Sequence, residues 1–262
     1  MALSFRTLWL SDIHLGTKAS RATELLSFLS TVRAERIYLV GDIIDLERMK
    51  VRPVFPNSHM AVVTMLARLG KSGTEVIYIP GNHDAEFRHL VGSDVLGIPI
   101  AQEATHVTPN GERWLVMHGD VLDGQIRDGT NLEKFGAAAY KVLTELDVFV
   151  NAFRRRLGRD FFSLSASIKR RLSGANEYIR RFETVAAEYA VNRGFDGVVC
   201  GHIHRPGIRR IGDCLYMNDG DWVEHATALA ETVDGSLHIL NWRADTVTDR
   251  PVTLAPRPAS AA

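Results

Sequence analysis

Five short fragments of this chain hold the residue types that bind divalent metals: Ser11-Asp12-Ile13-His14, Gly41-Asp42-Ile43-Ile44-Asp45, Gly81-Asn82-His83-Asp84, Val116-Met117-His118-Gly119-Asp120 and Gly201-His202-Ile203-His204. Their carboxylates, imidazoles and amide form a mixed oxygen and nitrogen donor set, which suits Mn, Fe or Zn better than Ca. Asp12 and His14 are two apart, so on an extended strand end both project to one side and can share an ion. His202 and His204 repeat that spacing. Two divalent cations about 3.5–4 Å apart repel strongly unless an anionic oxygen lies between them, and one carboxylate reaching both is the simplest bridge. Asp42 is the candidate for that role.

The elements that must position these residues are legible around them. Each fragment follows a β-branched or aliphatic run that reads as a strand: residues 6–10, 36–40, 75–79, 114–117 and 198–200. The candidate ligands therefore sit where strands end and loops begin, the usual place for a site in an open α/β sheet. Up to residue 120 the pattern alternates strand and helix, with helices predicted near residues 20–34 and 57–69, the rhythm of a mostly parallel layer. After Gly201, short runs at residues 207–211, 214–217, 227–232 and 237–242 are separated by Gly212-Asp213, Asp219-Gly220 and Asp234-Gly235. They predict an antiparallel second sheet. The stretch 246–262, with Pro251, Pro256 and Pro258, reads as a disordered tail.

At 262 residues and 45% hydrophobic, the chain can bury a full core, either as one α/β domain or as a domain with an insertion. The second fits better: 1–120 and 196–245 form the core, and 121–195 a helical insertion. The 31 basic and 31 acidic residues balance, which argues against a nucleic-acid protein of bulk basicity. The two cysteines, Cys200 and Cys214, are too few to staple a chain of this size, so a reducing, cytoplasmic setting is expected and Cys200 reads as a buried, inert thiol. The first nine residues run almost straight into Asp12, so no signal peptide is expected, and no 18-residue apolar run exists to span a membrane.

The order Asp-x-His, Gly-Asp, Gly-Asn-His-Asp, His, Gly-His-x-His resembles the calcineurin-like metallophosphoesterase superfamily, from about residue 6 to about residue 241. The resemblance implies a sandwich of two sheets flanked by helices, and a metal-dependent phosphohydrolase with two divalent ions: Mn²⁺ first, with Fe, Zn or Mg as alternatives. It implies that Asp12, His14, Asp42 and His204 bind one ion and that Asp42, Asn82, His118 and His202 bind the other. His83 then lies over the phosphate as the catalytic group, with Asp84 holding its imidazole. Asp45 reads as a capping or supporting acid, Asp120 as an orienting carboxylate for an imidazole, and Arg88 as a phosphate contact.

Within that superfamily the chain is similar to the UDP-2,3-diacylglucosamine hydrolase group. The likeness rests on Asp12-Ile13-His14-Leu15-Gly16, on Gly201-His202-Ile203-His204-Arg205-Pro206, and on a basic helical insertion between the last two motifs. Members of the group cleave a pyrophosphate linked to an acylated sugar at the membrane surface, and several carry Arg where this chain has His83. Residues 151–182 hold nine basic residues against two acidic, a local balance of +7, interleaved with Phe153, Leu157, Phe161, Phe162, Leu164, Ile168 and Leu172. Such a lid suits an anionic amphiphile or the acidic face of a membrane better than nucleic acid, with Arg154, Arg155, Arg156, Lys169 and Arg170 as substrate contacts. The alternatives are a general or cyclic-nucleotide phosphodiesterase, and a metal-free scaffold of the same fold, against which the complete ligand set argues.

Overall fold

The computed structural model describes residues 3–126, 173–243 and 246–251. The chain divides into two compact units, Met1–Val121 with Ala186–Ala262, and Leu122–Val185. The basic segment with Arg154, Arg155, Arg156, Lys169 and Arg170 lies outside the described residues.

In the first unit, β1 (Leu3–Leu10), β2 (Val32–Val40) and β3 (Glu75–Ile79) run parallel, linked by α1 (Ala22–Thr31), α2 (Leu46–Val51) and α3 (Asn57–Lys71). A two-stranded ribbon, β4 (Asp94–Val95) with β5 (Ile98–Pro99), follows, then β6 (Ala104–Val107) and β7 (Arg113–Val116). The short α4 (Asp123–Ile126) belongs to the second unit, where the Tyr178 hydroxyl donates to Asp123 (2.9 Å), and α5 spans Ser173–Asn192. The chain then forms β8 (Gly197–Cys200), β9 (Gly207–Ile211), β10 (Cys214–Asn218), β11 (Thr227–Glu231), β12 (Leu237–Arg243) and β13 (Thr246–Pro251).

Two sheets result, in the orders β13-β12-β11-β1-β2-β3 and β6-β7-β8-β10-β9. Alternation along the central strand explains the layering. Leu8 and Leu10 pack with Leu25, Phe28 and Leu29 of α1 and Val62 and Leu66 of α3, residues spaced to share one helix face. Trp9, between them, packs toward Trp114, Val116, Val199 and Met217 of the other sheet. From Thr7 to Leu10 both faces of β1 are buried, as a strand covered by helices on one side and a sheet on the other must be.

Two expectations need correction. The four runs after Gly201 do not share one sheet. β9 and β10 join the second sheet, with β10 parallel to β8, whereas β11 and β12 complete the first, with β11 antiparallel to β1. The backbone edge of β1 opposite β2 would otherwise be buried without partners, and β11 supplies them. The tail expected from residue 246 begins with a strand, since Thr246–Pro251 pairs with β12 and only the stretch beyond it lies outside the described residues.

A buried polar cluster crosses the gap between the sheets. Glu231 of β11 accepts from Arg6 (2.6 Å) and lies 3.0 Å from His106 Nε2 of β6. Burial raises the Glu231 carboxyl, but hydrogen bonds from His106 and Arg6 outweigh it and hold the group below its ordinary value. A depressed carboxylate contributes stability above its unfolded pKa and loses it as pH falls through the folded value. Glu231→Gln should therefore cost about 1.5–3 kcal/mol in urea denaturation at pH 7. The gap to wild type should narrow as pH falls below about 4.3, where the unfolded chain begins to bind the proton, and should close once pH has passed the still lower folded value.

Candidate metal centre

The strands point their carboxyl ends at one place. Asp12 and His14 follow β1, Asp42 follows β2, Asn82 and His83 follow β3, His118 follows β7, and His202 and His204 follow β8. Seven non-glycine residues among those described have positive φ, and five of them are Asp12 (49°), His14 (50°), Asp42 (53°), His202 (66°) and His204 (49°). A side chain in that region costs about 1–3 kcal/mol, and such outliers cluster at functional sites. Bonds between loops hold the strained residues: Asp12 N–H donates to the Gly41 carbonyl (3.0 Å), His14 N–H to the Asp42 carbonyl (2.9 Å) and Trp222 N–H to the Asp12 carbonyl (3.1 Å). Two motif glycines are needed because ligands crowd them: a Cβ on Gly81 would overlap Asp42, and one on Gly201 would overlap Ser11 and Asp12.

Among the described residues three donor groups result, each with atoms within 4.8 Å of one another: Asp12, His14 and His204; Asp12, Asp42 and His118; His14, Asp45 and His83. His204 Nε2 is 2.9 Å from Asp12 Oδ1. Asp42 Oδ2 lies 3.9 Å from His14 Nε2 and 3.4 Å from His118 Nε2, so a single oxygen faces both imidazoles. Its Oδ1 is taken by the His83 N–H (2.8 Å). His118 Nδ1 is held by the Val40 carbonyl (2.8 Å), which turns Nε2 inward, and the ring meets His202 edge to face at 5.1 Å. Asp12 Oδ1, Asn82 Oδ1 and His118 Nε2 are buried without a hydrogen-bond partner, the state of donors shaped for a cation. This mixed oxygen and nitrogen set fits divalent transition metals.

The electrostatics agree. Burial would raise Asp12 and Asp42, yet the imidazoles outweigh it: His204 holds Asp12 below the ordinary range, and His118, His14 and His83 hold Asp42 well below it. Burial would lower His204, but Asp12 reverses this and raises it to about 9. The cluster thus draws positive charge toward its carboxylates.

Asp84 does not hold the His83 ring. Its carboxylate faces the backbone, accepting from the N–H groups of Gly81 (2.6 Å), Ile43 (2.7 Å), Ile44 (3.3 Å) and Asp42 (3.3 Å), and from the Tyr78 hydroxyl. With about four lone-pair sites filled, an ionised carboxylate has nothing left for an imidazole. Asp45 occupies the place expected of Asp84, with Oδ1 3.1 Å from His83 Nδ1 and Oδ2 3.2 Å from His14 Nδ1. It also caps α2 through the Arg48 N–H (2.8 Å). Asp120 pairs with Arg88 (2.7 Å) rather than with an imidazole, and Arg88 also donates to the Pro80 carbonyl. Cys200 is buried and burial pushes its thiol well up, as an inert thiol requires. Tyr78, Ser11 and Asp219 had no signal of their own, since nothing in a strand tyrosine or a loop serine marks a distant partner.

The calcineurin-like phosphoesterase profile matches residues 5–206, and the chain belongs to that family. It is a phosphohydrolase, and the family implies divalent metals. UDP-2,3-diacylglucosamine hydrolase of Xanthomonas axonopodis pv. citri is 29% identical over 88% of this chain and 96% of its own length. The Stenotrophomonas maltophilia protein of that name is 26% identical over 92% and 98%. Among solved structures, Yfce, a phosphoesterase from E. coli, is 16% identical, covering 94% of this chain and 99% of its own at a TM-score of 0.47.

The two acids should separate in experiment. Asp84→Asn puts an amide nitrogen against backbone donors and should lose about 1–3 kcal/mol for each bond it fails to make, read by urea denaturation. Asp45→Asn keeps a good helix cap, so it should cost less stability than Asp84→Asn, while turnover falls as His83 loses its charged neighbour.

Proposed function

We propose that the protein is a two-metal phosphoester or pyrophosphate hydrolase, acting on a UDP-diacylglucosamine-like or other anionic lipid-linked substrate. Asp12, His14, Asp42 and His204 would hold one ion, and Asp42, Asn82, His118 and His202 the other, with Mn²⁺ as first choice. The observation that carries the two-metal reading is Asp42 Oδ2, which faces His14 and His118 together while its other oxygen is engaged by backbone. Two divalent ions there would neutralise phosphate charge and lower the pKa of a water.

The chain's own residues supply the rest. His83 stands beside Asp42 through its N–H and beside Asp45 through its ring, 4.8 Å from the His14 ring, and is half-buried. Burial alone would lower its pKa, but Asp45 and Asp42 raise it, so the imidazole favours the protonated form. That form can donate to a leaving oxygen or stabilise developing phosphoryl charge.

Support for the lipid-linked substrate is the name shared by the curated relatives, together with the basic, apolar composition of residues 151–182. The same composition supports peripheral contact with an anionic membrane face on the cytoplasmic side. No helix among the described residues is long and apolar enough to cross a membrane. A second reading, a phosphodiesterase of soluble substrates, is favoured by His83 standing where several members of the hydrolase group carry Arg.

Anomalous scattering from Mn²⁺-loaded crystals should show two sites sharing Asp42, and one site would defeat the two-metal reading. His83→Ala should keep its metal and lose about 10²–10³-fold in turnover. Replacing Arg154, Arg155, Arg156, Lys169, Arg170 and Arg171 with Gln should reduce vesicle sedimentation and activity on acylated substrate, while sparing a small phosphodiester. Equal loss on both substrates would refute the lipid-binding role.

A further inference from the structure

The Ser11 hydroxyl lies 2.6 Å from Asp12 Oδ2, 2.6 Å from Asp219 Oδ1 and 3.1 Å from the Gly220 carbonyl oxygen. A hydroxyl has one proton to donate, and three oxygens surround this one. Asp12 Oδ2 also accepts the His202 N–H at 2.9 Å, so that oxygen is engaged twice while Oδ1 faces His204 with no hydrogen-bond partner. Ser11, Asp12 and Asp219 are 0–1% exposed, so these contacts are made away from bulk solvent.

The loop carrying Asp219 is itself anchored to the loop that carries His202. Asn218 Nδ2 donates to the Gly201 carbonyl (2.7 Å), its Oδ1 accepts from the Gly220 N–H (3.0 Å), and the Asp219 N–H reaches the Cys200 carbonyl (3.3 Å). Asp219 thus touches the β1 loop through its side chain and the end of β8 through its backbone. It belongs to none of the five metal-binding fragments.

We propose that Asp219 is a positioning residue that acts through Ser11 to fix which oxygen of Asp12 is presented to the metal. If Ser11 gives its proton to Asp12, the equally short contact to Asp219 is made by a proton on Asp219. A carboxyl buried among oxygens is held in that neutral form, and burial does push Asp219 well up. Asp12 Oδ2 is then pinned from two sides, and Oδ1 is left as a single directed ligand atom. Without the pin, the carboxylate can rotate and ligate with either oxygen, which weakens the site.

The inference rests on the two-metal reading, and Mn²⁺ titration calorimetry on the full chain separates the two. Wild type should bind two equivalents. Ser11→Ala and Asp219→Leu should each weaken one of them by about 10–100-fold, the usual effect of removing a group that orients a ligand. The equivalent that does not use Asp12 should keep its affinity. Asp219→Asn, whose amide can donate to Ser11, should restore near wild-type affinity, a rescue that simple core packing would not discriminate. Thermal unfolding of the metal-free proteins checks that each is folded, and Ser11→Ala carries the test if Asp219→Leu does not fold. Wild-type affinity for both equivalents in a folded Ser11→Ala or Asp219→Leu protein overturns the inference and leaves the two-metal reading intact. A single equivalent in wild type overturns the two-metal reading, and the inference is then decided by whether that one equivalent weakens in Ser11→Ala.

Discussion

The structure depends on one buried carboxylate. Asp84 accepts backbone N–H groups from the loop after β2 and the loop after β3, and closes its shell with the Tyr78 hydroxyl. Those loops leave parallel strands whose own ladder has ended, so their donors would otherwise be buried and unpaired. One side chain repairs both ends at once, and by doing so sets the distance between Asp42 and His83. Burial and the neighbouring Asp42 push its pKa up, which is the electrostatic cost of placing an acid there. The hydrogen bonds from Gly81, Ile43 and Tyr78 offset that cost, as bonds to a charged acceptor can.

Around this anchor the site accumulates strain rather than avoiding it. Asp12, His14, Asp42, His202 and His204 all occupy the left-handed region, although none is glycine. That conformation turns a chain leaving a strand sharply enough for residues two apart to converge on a single point. Leu8, Trp9 and Leu10, fully buried on either face of β1, supply the packing that keeps such turns in place. The hydrophobic layers and the strained loops are therefore one arrangement: the first fixes the strand ends, and the second aims them.

The charges follow the same logic. Asp12, Asp42 and Asp45 lie within reach of His14, His83, His118 and His204, and each carboxylate is drawn below its ordinary range by the imidazoles despite burial. A cluster so arranged favours cations over protons at neutral pH. Asp219 and Asp84, which face hydroxyl and backbone groups rather than imidazoles, are pushed the other way.

Much of this was legible in the chain alone. The strands before each motif, the helices near α1 and α3, and the identity of the donor residues follow from local composition: aliphatic and β-branched runs, and donors spaced two apart. What could not be read is everything decided by contacts distant in sequence. Whether the run at 227–231 pairs with β10 or with β1 depends on which buried edge lacks partners, and that edge is defined 220 residues earlier. The partner of His83 was sought in its neighbour Asp84, yet the strand-end turn faces Asp84 toward backbone amides and brings Asp45 from another loop to the ring. Asp219 met Ser11 across 208 residues, with no local pattern to announce it. Residue type and spacing determine which atoms can bind a metal. Only the packing of strand ends decides which acid faces an imidazole and which faces the backbone, because that choice is made by burial and unpaired donors that no local window contains.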